Sequence, residues 1–132
     1  MVFLDAAPLI CLIEQPPTFG PKAAARIATL LGAGERLAVS DLVRMECQVG
    51  PLKANDAILL AKFATFFRSP DVQVLPVSTA VCDRAARIRA QYGFKPLDAL
   101  HPAAAVEHCR TLFLTNDGRL TKFTAIPIEV LT

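Results

Sequence analysis

The sequence predicts a single three-layer α/β domain, residues 1–132, in which helices flank a five-stranded parallel sheet. Two observations predict this fold class. Short apolar runs alternate with longer segments of helical character along the whole chain. Apolar residues make up 53% of its 132 residues, above the typical ~45–50%, which excludes disordered and fibrous classes.

Five short apolar runs are predicted as the strands. Each is bounded by turn or helix signals and lacks the polar alternation of a half-exposed strand, as expected for strands buried on both faces. In chain order, the predicted strands are residues 2–4, 37–39, 72–75, 112–114 and 128–130.

Helices are predicted between the strands. Residues 15–21 are rich in proline and are predicted as a loop. Gly50-Pro51 is predicted to stop the helix that follows the second strand, and Gly93 to close a later one. The first three predicted helices are 8–14, 22–31 and 40–47, the last with Ser40 as its N-cap. The fourth is capped by Asn55 and has an apolar face that includes Phe63, Phe66 and Phe67. The fifth runs from Ser78 or Thr79 to Tyr92, and the sixth covers residues 96–109.

The composition also predicts a cytoplasmic location without membrane association. The longest stretch without a charge, residues 72–82, contains polar residues and proline, whereas a span needs ~20 apolar residues. The first residues lack the basic start of a signal peptide. The four cysteines have no metal-ligand spacing and are predicted as buried, reduced thiols: Cys11, Cys47, Cys82 and Cys109.

Four acidic residues are predicted to converge on one edge of the sheet. Asp5 follows the first strand, Asp117 follows the fourth, Glu46 lies in the helix after the second, and Asp98 lies near the start of the helix that leads into the fourth. In doubly wound sheets this edge, at the carboxyl ends of the strands, is where sites form. Asp5 and Asp98 are each embedded in apolar sequence, where an unpaired carboxylate is costly.

Converging carboxylates repel one another, and a hard divalent cation such as Mg²⁺ or Mn²⁺ would relieve that repulsion. A cation held by few protein ligands can lower the pKa of an attacking water and offset charge on a phosphate. The chemistry that fits is metal-assisted phosphodiester hydrolysis.

The sequence resembles the PIN-domain family, and in particular the VapC-type ribonuclease toxins of toxin–antitoxin pairs. The resemblance covers essentially the whole chain and rests on four segments in order: Val2-Phe3-Leu4-Asp5, residues 38–46 ending at Glu46, residues 96–101 around Asp98, and Phe113-Leu114-Thr115-Asn116-Asp117. Two departures are Ala6, which places no hydroxyl or amide after the first acid, and Pro102, which removes a helical N–H beside Asp98.

The resemblance implies a PIN-like (Rossmann-like) fold and a Mg²⁺- or Mn²⁺-dependent endoribonuclease. It implies that Asp5, Glu46, Asp98 and Asp117 are the catalytic and metal-binding residues. The implied partners are an RNA substrate, a cognate VapB-like antitoxin that blocks the site, and a second copy in a homodimer.

Other residues are candidates for supporting roles. Thr115, Asn116, Ser40 and His101 are candidates to orient ligands or substrate, although turn chemistry, helix capping and a structural histidine explain them as well. When the four site acids are set aside, 14 basic residues remain against 8 of the 12 acidic ones. This excess of positive charge suits a surface that binds a polyanion. The candidate phosphate contacts are Arg84, Arg87, Arg89 and Lys95.

Several other functions fit less well. A phosphorelay receiver needs an acceptor Asp after the third strand, where the chain has Leu75-Pro76-Val77-Ser78. A haloacid-dehalogenase-type phosphatase needs a second Asp two residues after the first, where Ala7 stands, and no glycine-rich turn for a dinucleotide follows the first strand. Two alternatives remain open: a PIN-like binding or assembly module without useful activity, and a housekeeping PIN nuclease.

Overall fold

The sheet contains five parallel strands. The computed structural model describes residues 1–108 and 110–132. The strands are β1 Val2–Leu4, β2 Leu37–Ser40, β3 Val72–Leu75, β4 Leu112–Thr115 and β5 Ile128–Val130. Their order is β3-β2-β1-β4-β5 and every pairing is parallel. The predicted strands and the predicted α/β class are confirmed.

Six α-helices connect the strands. A short 3₁₀ helix, Gly118–Lys122, lies between β4 and β5. None of the helices in the described ranges is long and apolar enough to cross a membrane. The α-helices are α1 Ala6–Glu14, α2 Phe19–Gly32, α3 Asp41–Lys53, α4 Ala57–Phe67, α5 Thr79–Tyr92 and α6 Pro96–Glu107.

The strand order reverses between β1 and β4. The chain builds outward from β1 through β2 to β3, then returns to place β4 on the other side of β1. The carboxyl ends of β1 and β4 therefore flank the switch point, where doubly wound sheets bind ligands. Asp5 follows β1 at this point, and Asn116-Asp117 follows β4.

The central strands form the middle of the core. Phe3 of β1 and Phe113 of β4 occupy paired positions, both are fully buried, and their rings stack with centroids 5.2 Å apart. Such aromatic pairs add to the stabilisation from burial alone. The packing of these strands fixes the position of the residues that follow each of them.

The first two helices begin earlier than predicted. Asp5 caps α1 by accepting a hydrogen bond from the backbone N–H of Ala6, so α1 begins before Pro8. The loop prediction for residues 15–21 is wrong from Phe19 onward, because α2 begins there. Pro21 is tolerated since it lies in the first turn, where a backbone N–H has no partner within the helix.

The predicted stop of α3 at Gly50-Pro51 is wrong, because the helix continues to Lys53. Pro51 removes one helical hydrogen bond, but its ring is buried and this packing offsets the loss. The residue before it is a glycine, which reduces the steric conflict that proline imposes on its predecessor. The predicted N-cap, Ser40, is confirmed: its hydroxyl oxygen accepts from the N–H of Val43 at 3.3 Å.

The N-cap of α4 is Asp56 rather than the predicted Asn55. The Asp56 carboxylate accepts from the N–H of Leu59 at 3.0 Å, and Asn55 instead adopts a left-handed conformation with φ 51°. Asparagine tolerates this conformation better than most residues. The apolar face of α4 is less buried than predicted, since Phe63 alone is fully buried and Ile58 is 74% exposed.

The later helices agree better with prediction. Ser78 caps α5, and Gly93 ends it in the left-handed conformation with φ 71°. Helix α6 passes through the buried Pro102 without interruption. It ends at Glu107 rather than at residue 109, which lies outside the described residues.

The prediction of buried cysteines holds for Cys47, which is buried. It is wrong for Cys82, which is exposed, and Cys11 is half-buried. Cys109 lies outside the described part of the chain.

Candidate functional site

Two pairs of carboxylates lie at the switch-point edge of the sheet. Asp5 and Glu46 form one pair, and Asp98 and Asp117 form the other. In each pair a nitrogen atom of another side chain lies within 4 Å of both carboxylates. The structure thus brings the four predicted acids together as two separate pairs.

Asp5 is held rigidly at the end of β1. One carboxylate oxygen accepts from the N–H of Ala6 at 2.8 Å, and the other accepts from the hydroxyl of Thr115 at 2.8 Å. Burial raises the pKa of Asp5, while the nearby His101 and these two hydrogen bonds act in the opposite direction. Asp5 therefore has a fixed position, and its neighbours offset only part of the cost of burying its negative charge.

His101 connects the first carboxylate pair. Its Nε2 lies 2.5 Å from Oε1 of Glu46 and 3.9 Å from Oδ1 of Asp5. The histidine is only 4% exposed. Glu46, in the second turn of α3, is therefore positioned by a residue of α6, and the predicted candidate His101 contacts both acids.

Arg119 connects the second pair. Its guanidinium makes a bidentate contact with Asp117, with Nη2 2.6 Å from Oδ2 and Nε 3.0 Å from Oδ1. The same Nη2 lies 3.9 Å from Oδ2 of Asp98. The Arg119 hydrogen bonds hold the pKa of Asp117 below its ordinary value. Asp117 is consequently ionised at neutral pH.

Thr115 joins the two pairs. Its hydroxyl donates to Asp5 and its oxygen accepts from the backbone N–H of Asp117 at 3.0 Å. Thr115 is completely buried, so this connection between the ends of β1 and β4 is shielded from solvent. Thr115 therefore orients Asp5 directly and fixes the backbone that carries Asp117.

The other two polar candidates occupy different positions. The Asn116 side chain points toward Cys11, with Nδ2 4.0 Å from Sγ, and its buried Oδ1 has no hydrogen-bond partner among the described residues. Ser40 is buried as the cap of α3. Ser40 thus orients the helix that carries Glu46, and among the described residues its hydroxyl forms no hydrogen bond with an acid.

The donor set suits a hard divalent cation, because it consists of carboxylate oxygens with the orphaned buried amide oxygen of Asn116 nearby in sequence. Within residues 1–108 and 110–132, however, no three His, Cys, Asp or Glu side chains already form a metal-binding group. His101 and Arg119 lie between the carboxylates instead. A cation that bound all four acids would take over the charge compensation that these two residues provide.

The predicted phosphate contacts differ in availability. Arg84 donates to Glu107 at 2.9 Å, and Arg89 donates to the carbonyl of Phe94 at 3.0 Å. Arg87 is exposed on α5. Lys95 is also exposed, and it lines a cleft with Asp98.

Two further basic residues near the acids were missed by the sequence analysis. Arg119 contacts Asp117, and Lys122 lines the same cleft as Lys95. The available signal was their position, two and five residues after Asp117 in the segment that follows β4.

Comparison with known proteins agrees with this architecture. The model of the PIN domain family matches residues 2–126. Curated protein sequences include no significant match. Solved structures with the same fold include VapBC2 from Rickettsia felis bound to a promoter DNA fragment, with a TM-score of 0.79, 16% identity and complete coverage of both chains.

Two other solved structures also share the fold. A toxin–antitoxin complex from Klebsiella pneumoniae has a TM-score of 0.75 at 19% identity and covers 100% of this chain and 98% of its own. VapC20 from Mycobacterium tuberculosis is described as a toxin that cleaves the sarcin–ricin loop. It has a TM-score of 0.75 at 15% identity, and the match covers 96% of this chain and 99% of VapC20. Because the family model spans nearly the whole chain, this protein belongs to the PIN domain family.

Proposed function

We propose that the chain is an endoribonuclease that uses Mg²⁺ or Mn²⁺ to cleave single-stranded RNA by attack of water on a phosphodiester. The observation that carries the proposal is the pairing of four carboxylates at the sheet edge, each pair within 4 Å of one shared side-chain nitrogen. Like charges so placed favour a bound cation.

The two acids of the first pair each have a distinct support in this scheme. Asp5 is oriented by Ala6 and Thr115, and Glu46 is oriented by His101. A divalent cation held by the quartet would lower the pKa of water and offset the negative charge that develops on the phosphate. Preorganised ligands lose little freedom on binding it.

Water is the best candidate nucleophile because the side-chain alternatives near the acids are poor. Burial raises the pKa of the Cys47 thiol to about 12, so its reactive thiolate is scarce at neutral pH. Ser40 is buried and committed to the cap of α3, and Thr115 is committed to Asp5 and Asp117.

Arg119 has a second role in the proposal. Its side chain is 70% exposed, so a cation that binds Asp98 and Asp117 can displace it without disturbing the core. Once released, the guanidinium would be free to donate hydrogen bonds to the oxygens of a bound phosphate.

We further propose that the nuclease is the toxin of a toxin–antitoxin pair and acts in the cytoplasm. Support comes from the structural neighbours, which include a toxin–antitoxin complex and a toxin described as cleaving the sarcin–ricin loop. The corresponding partner of this chain is a VapB-like antitoxin. A groove of about 640 Å³ between α1 and α4, lined mainly by apolar residues that include Leu12, Ala57 and Ile58, is an apolar surface that such a partner can bury.

The proposed homodimer is supported by a second apolar surface. Met45, Val49 and Leu52 are all exposed and share one face of α3. Light scattering tests this proposal directly: the wild type is expected as a dimer and Val49→Glu as a monomer. A monomeric wild type contradicts it.

A non-catalytic binding module is the second candidate, and the His101 and Arg119 contacts favour it, because they compensate the acids without a metal. A cleavage assay with purified protein distinguishes the two. The nuclease proposal expects single-stranded RNA to be cut in Mg²⁺ or Mn²⁺, with 5′-phosphate ends, and to stay intact in EDTA. Intact RNA in both metals, or cleavage that persists in EDTA, contradicts it.

A further inference from the structure

A small cleft opens next to the acid pairs, between the start of α6 and the 3₁₀ helix. It has a volume of about 200 Å³, and Asp98 forms part of its wall. The other residues that matter here are Tyr92, Phe94, Lys95, Arg119 and Lys122. Asp98 and these five residues together are called the Asp98 cleft. Whatever occupies it lies within reach of the second carboxylate pair.

The cleft carries an excess of positive charge. It combines three cations, Lys95, Arg119 and Lys122, with the single carboxylate of Asp98. Arg119 pairs with Asp117, but in the described part of the chain no carboxylate forms an ion pair with Lys95 or Lys122. Both lysines are exposed. Their ammonium groups are therefore available to an anionic ligand.

Aromatic rings form another part of the cleft. Tyr92 stacks on Phe94 with centroids 5.4 Å apart, and Phe123 supports Tyr92 edge-on at 5.6 Å. Tyr92 and Phe94 are both half-buried, so both residues pack against the domain and both keep some contact with solvent. Accessible rings beside cations are the combination that binds single-stranded nucleic acid, since bases stack and phosphates pair with the cations.

The charged lining of the cleft favours one unit of a strand over a free small molecule. Small-molecule sites are usually concave, largely apolar and ~300–1,000 Å³ in volume. This cleft is smaller and bordered by exposed lysines. We propose that the Asp98 cleft binds the nucleotide adjacent to the scissile phosphate, with its phosphate at Lys95 and Lys122 and its base against Phe94 and Tyr92.

This inference rests on the proposed nuclease function and specifies how its substrate is held. The contacts are with phosphate charge and with the face of a base, neither of which depends strongly on base identity. The cleft therefore contributes affinity and strand placement at the acids rather than recognition of one sequence.

The test measures binding without cleavage. The variant Asp5→Asn, which the nuclease proposal expects to be deficient in cleavage, is titrated in Mg²⁺ and at several salt concentrations into a fluorescein-labelled octamer of uridine while anisotropy is recorded. In this background Lys95→Gln and Lys122→Gln are compared with Lys53→Gln, a charge-matched control at the end of α3. Phe94→Leu removes the ring but keeps an apolar side chain.

The cleft variants are expected to weaken RNA binding severalfold. Each lysine change is also expected to reduce, by about 0.7, the slope of the logarithm of the binding constant against the logarithm of the salt concentration. Lys53→Gln is expected to have little effect. Equal losses for Lys53→Gln and the cleft lysines, or no binding of the octamer, overturn the proposal.

The two proposals fail in different ways. If wild-type protein cleaves RNA with the same KM as Lys95→Gln, the cleft assignment is wrong and the nuclease proposal stands. If it cleaves nothing but binds RNA through Lys95 and Lys122, the nuclease proposal is wrong and the cleft assignment stands.

Discussion

The Nε2 atom of His101 lies 2.5 Å from Oε1 of Glu46, although the two residues are 55 positions apart in the sequence. The contact joins α6 to α3, so the packing of the two helices determines the position of Glu46. Because His101 is also 3.9 Å from Asp5, one buried side chain keeps two carboxylates together. This arrangement links the stability of the domain to the geometry of the site.

The variant His101→Gln should lower the free energy of unfolding by about 1–3 kcal/mol, because a partly buried Glu46 carboxylate loses its partner. Mn²⁺ should therefore recover more stability in the variant than in the wild type. Urea unfolding with and without Mn²⁺ measures both effects. His108→Gln is the control, because His108 lies at the carboxyl end of α6 and forms no ion pair with an acid among the described residues. Equal stability losses in the two buffers would argue against a cation at these acids.

Arg119→Gln should bind Mn²⁺ more tightly than the wild type, because the guanidinium no longer competes for the oxygens of Asp117. The pKa of Asp117, which Arg119 holds below its ordinary 3.8, should rise toward that value. The carboxylate still stays ionised at neutral pH. Isothermal titration measures the affinity, and Arg87→Gln serves as an exposed control on α5. An unchanged or weaker affinity in Arg119→Gln would contradict the proposed competition.

The ion pair between Arg26 and Glu129 should stabilise the edge strand β5 in a pH-dependent way. The contact is bidentate, at 2.6 and 2.7 Å, and both side chains are about one-third exposed. Arg26→Met should therefore cost about 1 kcal/mol or less at neutral pH.

The sign of this pH dependence follows from Glu129. Arg26 holds the pKa of Glu129 below its ordinary 4.5, so the stabilisation is complete above 4.5 and disappears as the pH falls through the folded-state value. The difference in unfolding free energy between wild type and Arg26→Met should accordingly shrink as the pH is lowered below 4.5. A difference that is the same at neutral and acidic pH would show that the ion pair is not its source.

Cys47 and Cys82 should differ in reactivity. Cys47 is 1% exposed and burial raises the pKa of its thiol to about 12, with the nearby Glu46 acting in the same direction. Cys82 is exposed on α5. In native protein at mildly alkaline pH, iodoacetamide should modify Cys82 much faster than Cys47, as measured by mass spectrometry of the peptides. In urea the two rates should converge. Equal rates in the native protein would contradict the packing of α3.

The strands and several helix boundaries could be predicted because their signals are local. The buried run Val2-Phe3-Leu4 and the caps Ser40 and Ser78 depend on residues within a few positions of one another. The continuation of α3 past Gly50 could not be predicted in this way. It depends on the burial of Pro51, a tertiary effect that overrides the local tendency of proline to end a helix.

The candidate site shows the same division. The topology of a parallel sheet places Asp5 and Asp117 at one edge, and the acid quartet could be proposed from that alone. The partners of the acids depend on side-chain packing between distant elements. His101 could be named only as a candidate. Arg119 was missed because its one signal was its position two residues after Asp117, which does not show that its side chain turns back to the acids.

The most direct test of the account is the rate at which Asp5→Asn cleaves single-stranded RNA at saturating Mn²⁺, relative to the wild type. Asparagine is nearly isosteric and can still accept from the N–H of Ala6, so the variant should fold and melt at a temperature no lower than the wild type. Loss of a charged ligand should reduce the cleavage rate by about 100-fold or more. A folded Asp5→Asn protein that cleaves RNA as fast as the wild type would contradict the assignment of these carboxylates to catalysis.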